Sequence, residues 1–335
     1  MHQLISGLVV LFFLVNCTKA KLTYQEFVGE AQGTTFYISY LDSNSTDYSG
    51  DIEKILQDFD KQLSTYLKGS VINQFNDNEI DSIVISSNTT ELARCFKESI
   101  GIQKYTDGYF NHGLQNLIRA NQYSSYSEGV FNKEIRDSIL AISSVLIINN
   151  QSIKKVDSRS QFNFNAIAQG LSVDVLCEFF DSKGVNNYMV EIGGEVRVRG
   201  RNPEGKFWTI SLEAPNSTRE DRVVQETISV ENKSVVTSGS YRKFKEINGM
   251  KYSHAINPKT GLGVTHNLLS VSVVCEKASV ADGLATAFLV MGKEKTIRLL
   301  DSNNRYNVSL LFIESDSDGN FNSFYYGGFE KLIVK

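Results

Sequence analysis

Asp282 and Thr286 stand four residues apart in Ala281-Asp282-Gly283-Leu284-Ala285-Thr286-Ala287, so on a helix their oxygens share one face. A carboxylate beside a hydroxyl is a pair of hard oxygen donors, the ligand type magnesium takes in a six-coordinate shell completed by water or phosphate oxygens. The pair also has a structural reading: Asp in a first turn offsets the helix dipole, and Thr bonds back to its own helix. His254 is a second candidate, in Tyr252-Ser253-His254-Ala255-Ile256-Asn257-Pro258-Lys259-Thr260-Gly261, where a rigid turn follows a strand. An imidazole at a strand end titrates near neutrality and can act as a general base; a hydrogen-bonded structural histidine is the alternative. Asn165-Ala166-Ile167-Ala168-Gln169-Gly170 opens a helix with small residues. These let main-chain groups meet a metal or phosphate, or let the helix pack closely on a sheet. Gly193-Gly194, between two β-like runs, admits a turn, a bulge or a ligand contact. The chain lacks a Gly-x-Gly-x-x-Gly fingerprint, a Walker loop, a Gly-x-Ser-x-Gly elbow and a His-Glu-x-x-His helix.

The elements that must position these residues follow from periodicity. Thr34 to Leu41 alternates in the manner of a strand. Ile52, Ile55, Leu56, Phe59 and Leu63 mark an amphipathic helix between Ser49 and Ser64. Asn88, with Glu91 three residues later, predicts a capped helix burying Leu92, Cys95, Phe96 and Ile100. Helices are expected over 132–141, 166–182 with Gly184 as its left-handed cap, and 278–291 closed by Gly292. Strands are expected over 145–148, 188–192, 196–199, 207–212, 227–230, 269–275, 308–313 and 324–335. This order is neither a βαβ alternation nor an all-β meander, and it predicts an α+β architecture with helices packed on mainly antiparallel sheets. One intertwined domain, or two lobes sharing a cleft, fits better than independent modules.

Composition narrows the partners. The 335 residues are 41% hydrophobic and carry 34 Lys and Arg against 38 Asp and Glu, enough for a large core and without the basic stripe that nucleic acid requires. Leu4 to Val15 is almost wholly apolar but too short to cross a bilayer, as in a signal-peptide core. Leu14-Val15-Asn16-Cys17 resembles a bacterial lipoprotein cleavage box. Residues 1–16 are thus expected to be removed, Cys17 to carry lipid, residues 17–30 to form a tether running into the first strand, and 31–335 the functional domain. Cys95, Cys177 and Cys275 are an odd, widely spaced set among apolar neighbours, expected in the core rather than in disulfides or a zinc site.

Seven segments occur in an order that resembles one family. They are Gly29 to Thr35, Leu63-Ser64-Thr65-Tyr66, Asn165 to Gly170 followed by Asp174, Val190 to Glu195, Thr237-Ser238-Gly239-Ser240-Tyr241, Ser253-His254 through Gly261, and Ala281-Asp282 through Thr286. Together they resemble the ApbE family, the FAD:protein FMN transferases, many of them bacterial lipoproteins. The resemblance implies an α+β, T-fold-like domain with a ligand cleft. It implies Mg²⁺ held by the side chains of Asp282 and Thr286 and the carbonyl of Ala166, with the Ser279 carbonyl as a further donor. It implies FAD lying against Gln32, Tyr66, Asn121, Gln122, Tyr123, Asn163, Gln169 and His254, with His254 taking the proton from an acceptor threonine. The partner it implies is a flavin-acceptor protein with an exposed Thr, such as a redox-complex subunit, met on the periplasmic side of a bacterial membrane. The chain departs from the family pattern at Asn111, Gly113, Asn163, Gln169 and Leu171, which predicts an altered grip on the nucleotide. Two other activities share these residues: an FAD pyrophosphatase, in which water replaces the threonine, and a flavin-binding lipoprotein without turnover.

Overall fold

A computed structural model describes residues 23–123, 133–142, 144–218, 221–240, 244–247 and 250–334; Cys17 and the expected signal segment lie outside them. Its centre is an eight-stranded sheet formed by Gln25–Ala31 (β1), Thr34–Tyr40 (β2), Tyr188–Ile192 (β3), Glu195–Arg199 (β4), Ser234–Gly239 (β5), Leu268–Cys275 (β6), Ser309–Ser315 (β7) and Phe321–Tyr326 (β8). Every neighbouring pair is antiparallel and the strands lie in chain order. The expected α+β class with an antiparallel sheet is thus present.

Two of its hairpins close with two-residue loops. Gln32 and Gly33 have φ of 54° and 75°, and Gly193 and Gly194 have 62° and 103°. Positive φ at both positions is the twist-compatible way to join adjacent antiparallel strands. Because β2 pairs with β3, with Phe36 opposite Ile192 and the Gly193 amide donating to the Thr35 carbonyl at 3.0 Å, both turns lie at one end of the sheet.

The helices are Ser49–Leu63 (α1), Val71–Asn76 (α2), Thr90–Tyr105 (α3), Gln115–Tyr123 (α4), Lys133–Leu140 (α5), Ala168–Ser182 (α6), Ala278–Met291 (α7) and Lys293–Ser302 (α8). α6 and α7 cover one face of the sheet. α7 is apolar on all sides apart from Asp282 and the small hydroxyl residues Ser279 and Thr286, and such a helix is stable only when surrounded; twelve of its fourteen residues are buried. The opposite face packs against a two-stranded hairpin, Trp208–Glu213 with Val224–Val230, through Val196, Val198, Val235, Leu311 and Ile313. Strand alternation divides β4: Val196 and Val198 point to this hairpin, while Arg197 turns to the helices and pairs with Asp174.

A second cluster of elements joins α2 and α3 to a three-stranded sheet of Ser82–Val84, Ser152–Lys155 and Leu146–Ile148. Phe75, Phe96, Phe162 and Phe164 fill it, and their core is continuous with α7. Each fully buried ring contributes roughly 2–3 kcal/mol. His112 is sealed among them, stacked on Phe162 and Phe164, and burial lowers its pKa to about 4. It is a neutral core group.

Several local expectations shift. Helix α3 has Thr89 rather than Asn88 at its cap, and the Thr89 hydroxyl turns back to the Val84 carbonyl. The first turn is instead capped from another helix, by Gln62 Oε1 accepting from the amides of Glu91 (3.1 Å) and Leu92 (3.3 Å). Ile100 is exposed, and Ile102, three residues beyond the buried Ser99, continues the stripe instead. The chain after Tyr326 leaves the sheet at Gly327 and Gly328, both with positive φ, into the short turn Phe329–Leu332 instead of continuing as a strand. Among the described residues no helix is long and apolar enough to cross a membrane. Cys95, Cys177 and Cys275 are buried free thiols.

Candidate active site

The first turns of α6 and α7 are locked together by Gly170 and Asp174. A Cβ at Gly170 would lie 2.3 Å from the Ala278 carbonyl oxygen and 2.8 Å from Asp282 Cβ, so only glycine permits this crossing. Asp174, fully buried on α6, accepts from the amides of Ala278 (3.0 Å) and Ser279 (2.9 Å) and from the Ser279 hydroxyl (2.7 Å). It caps the unsatisfied N-terminal donors of α7 from another helix, and Arg197 neutralises it from β4. Asp282 completes the lock, its Oδ2 accepting from the Gly170 amide at 3.1 Å. That amide is the one which, in an earlier start to α6, would bond the Ala166 carbonyl; α6 begins at Ala168, and Asn165 to Ile167 form the turn before it. The structure therefore brings Asp282 up to the Ala166–Gly170 turn, and Thr286 lies one turn along, 3.1 Å from Ser238 Oγ of β5.

The electrostatics here suit a cation. Burial pushes the Asp282 carboxyl up to about 7. Glu195, half-buried, is held well above the ordinary carboxylate range by desolvation and by Asp282, and its Oε2 has no hydrogen-bond partner among the described residues. Two desolvated carboxyls facing each other are unfavourable unless protonated or shared with a positive ion. Among the described residues no three His, Cys, Asp or Glu converge, so a metal here would draw on hydroxyl and main-chain oxygens as well. This fits a hard, oxygen-preferring ion and not zinc.

Beyond the two hairpin turns a cavity of about 1370 Å³ opens, lined by Gln32, Gly33, Thr34, Gly193, Gly194 and His254 at one end. Gln32 is tied to α6 by the Ser172 hydroxyl, which donates to its Oε1 at 3.3 Å, while its Nε2 is buried without a protein partner among the described residues. An orphan buried donor is where a ligand oxygen belongs. Gln169 lies against the Gly193-Gly194 turn: a Cβ on Gly193 would come within 2.6 Å of its Nε2. His254 is exposed at the rim.

Tyr66 is 85% exposed, yet its loop is rigid. Ser64 Oγ accepts from the Tyr66 and Leu67 main-chain amides, and Asn73 Nδ2 donates to the Thr65 and Leu67 carbonyls at 3.2 and 3.0 Å. Asn165 Nδ2 reaches the Tyr66 hydroxyl at 3.3 Å, placing the ring beside the turn that precedes α6. Asn163 lies in the same turn, where its side chain accepts from the Asn165 amide (2.9 Å) and donates to Gln115 (2.7 Å). Asn121, Gln122 and Tyr123 end α4, and their side chains fall outside the described residues. Asn111 accepts from the Gly113 amide at 2.8 Å in a tight turn, and a Cβ on Gly113 would strike Ser144. Arg197 was missed from sequence, and Glu195 and Ser238 were noticed only within motifs: each is an ordinary strand residue until its neighbours across the sheet are known. Asp174 was noticed only within a motif, since its partners lie 104 and 105 residues away.

Fold and site together define an α+β protein with a large cleft beside a buried cluster of oxygen donors. The ApbE family model matches residues 32–312. The chain is 31% identical to the FAD:protein FMN transferase of Haemophilus influenzae over 322 residues, covering 91% of this chain and 92% of the relative. It is 30% identical to that of Vibrio cholerae over the whole of both chains. Among solved structures, flavin transferase ApbE from Vibrio cholerae superposes with a TM-score of 0.79 at 29% identity, covering 93% of this chain and 99% of that one. The apo flavinyl transferase ApbE of Pseudomonas stutzeri gives 0.80 at 28%, with 93% and 97% covered. This chain belongs to the ApbE family, in agreement with its motifs.

Proposed function

We propose that the chain is a Mg²⁺-dependent FAD:protein FMN transferase, lipid-anchored through Cys17 on the periplasmic side of a bacterial membrane. Family membership supports the transferase class. The observation that carries the finer reading is the meeting of Asp282, Thr286 and the Ala166–Gly170 turn, from elements more than a hundred residues apart, behind the turns that line the His254 cavity.

Each residue then has a physical task. Tyr66, an exposed ring on a rigid loop, gives a flavin or adenine plane a stacking surface. Gln32 and Gln169 present side-chain amides at the hairpin end, and the glycine turns let main-chain donors approach the diphosphate. Asp282, Thr286 and the carbonyls of Ala166 and Ser279 would hold the cation, which when bound supplies neutralisation of the charge gathering on the departing AMP. His254 accepts the proton of the acceptor threonine hydroxyl. The threonine oxygen attacks the phosphorus on the FMN side, a new phosphoester bond forms, and the P–O bond to the AMP phosphate breaks with its electron pair leaving on AMP.

The test is to incubate the mature domain with FAD, Mg²⁺ and an acceptor protein that the Vibrio cholerae relative labels. A fluorescent acceptor band that survives denaturation is the expected result. FMN and AMP released with no labelled band would instead establish a pyrophosphatase, and tight FAD retention without turnover a binding protein.

A further inference from the structure

The cavity does not end at His254. It continues along the sheet face away from the helices, bounded on one side by Tyr37, Met189 and Glu191 and on the other by five consecutive residues, Thr209 to Glu213. Side chains of a strand alternate between faces, so a run of consecutive residues lining one wall means that the wall is the edge of the strand and its main chain. Among the described residues Trp208–Glu213 pairs only with Val224–Val230 in a two-stranded sheet, and none of that second strand lines the cavity. The edge of residues 209–212 on the side away from that partner therefore faces the groove.

The ladder identifies which main-chain groups are offered. The Thr227 carbonyl accepts from the Val334 amide at 2.8 Å, on the side of its strand away from Trp208–Glu213. Thr227 is thus a non-hydrogen-bonded position of the hairpin, and so is Ser211 directly opposite it. The N–H and C=O of Ser211, and of Thr209 two residues earlier, point into the groove. Sites of this kind recur roughly 6.8 Å apart along a strand, the repeat of a polypeptide and not of a dinucleotide. A strand added there would extend the hairpin layer across β3 and β2, over Met189 and Tyr37, which the hairpin leaves half-exposed.

We propose that this edge receives the acceptor protein: an extended segment flanking its threonine adds as a strand to Trp208–Glu213, and the groove delivers the hydroxyl to His254. The inference rests on the transferase reading, which requires a polypeptide at His254, and adds where and how that polypeptide is held. Main-chain pairing supplies the affinity and the groove wall the register.

Ser211→Pro removes the outward N–H at an edge position that tolerates proline, while Ser211→Ala keeps it. With the acceptor labelled by the Vibrio cholerae relative, Ser211→Pro is expected to raise KM for the acceptor about ten-fold, the value of one strand hydrogen bond with its partner left unsatisfied. FAD binding is expected to stay unchanged, and Ser211→Ala to stay within about two-fold. In parallel, hydrogen exchange of the wild-type chain with a threonine-to-alanine form of that acceptor is expected to protect the amides of Thr209 and Ser211. This arm needs no variant and no turnover. An unchanged KM in a folded Ser211→Pro protein, or unprotected amides in the complex, overturns the docking edge and leaves the transferase reading standing. Failure of the wild-type chain to label an acceptor that the relative labels overturns the transferase reading itself.

Discussion

The α6–α7 junction and the groove around His254 are built on opposite principles. At the junction Asp174 makes three hydrogen bonds and an ion pair while wholly buried, and Gly170 leaves no space for a methyl group. In the groove, His254 is exposed, and among the described residues Gln32 keeps an unmatched donor and the stretch 209–212 is paired on one side alone. The contrast shows a division of labour. Polar groups that position are satisfied within the protein, whereas in the proposed reading an unmatched group such as Gln32 Nε2 is left for a ligand to satisfy. Asp282 and Glu195 sit on the boundary: Asp282 is buried and accepts from the Gly170 amide, while Glu195, half-buried, keeps an oxygen without a partner among the described residues.

Substitutions can break this contrast on either side. The largest effect is expected from Asp174→Ala, which uncaps α7 and strands Arg197 without its partner. A loss of about 3–5 kcal/mol follows from removing one member of a buried pair, read by urea denaturation; a loss below 1 kcal/mol would remove the distinction drawn here. Asp282→Ala should lower transfer about 10³-fold or more, as loss of a charge-stabilising group does, and abolish its Mg²⁺ dependence without unfolding the chain. Full Mg²⁺-dependent turnover in that variant would exclude the proposed ligand set.

Asp282 also makes a pH prediction. Its folded pKa of about 7 lies above the ordinary 3.8, so between those values the folded protein holds a proton that the unfolded chain has released. Stability of the metal-free protein should therefore fall as pH rises from about 4 to about 7, because the unfolded state binds fewer protons over that range. Added Mg²⁺ should flatten this slope, as should Asp282→Asn. Denaturation midpoints at pH 5 and pH 7.5, with and without the ion, measure it, and a slope indifferent to both changes would remove Asp282 as its source.

His254→Ala is expected to slow transfer about 10²-fold, the usual contribution of a general base, with FAD affinity nearly constant. An equal loss in binding would make it a ligand contact instead. The smallest effect belongs to Tyr66→Ala, expected to weaken FAD binding about five-fold through lost stacking, with thermal stability unchanged because the ring is exposed. Tyr66→Phe should retain the affinity if the ring plane and not the hydroxyl is what matters.

Periodicity and turn chemistry were enough to read the helix from Ala278 to Met291, the paired oxygens on its face, the strands flanking Gly193-Gly194 and the glycine that ends α7, because each is governed by residues within a few positions of one another. The same reasoning misplaced the start of α3, whose cap comes from Gln62 on a different helix, and overlooked β5 between two better-marked strands. What only the tertiary structure decided are the pairings across long loops: Asp174 with the N-terminus of α7, Glu195 with Asp282, Ser211 with the groove. A strand residue's spacing states that it alternates but not which neighbour it meets, and a buried carboxylate's role depends on that neighbour. The chemistry was legible where the chain is its own environment, and hidden where distant chain supplies it.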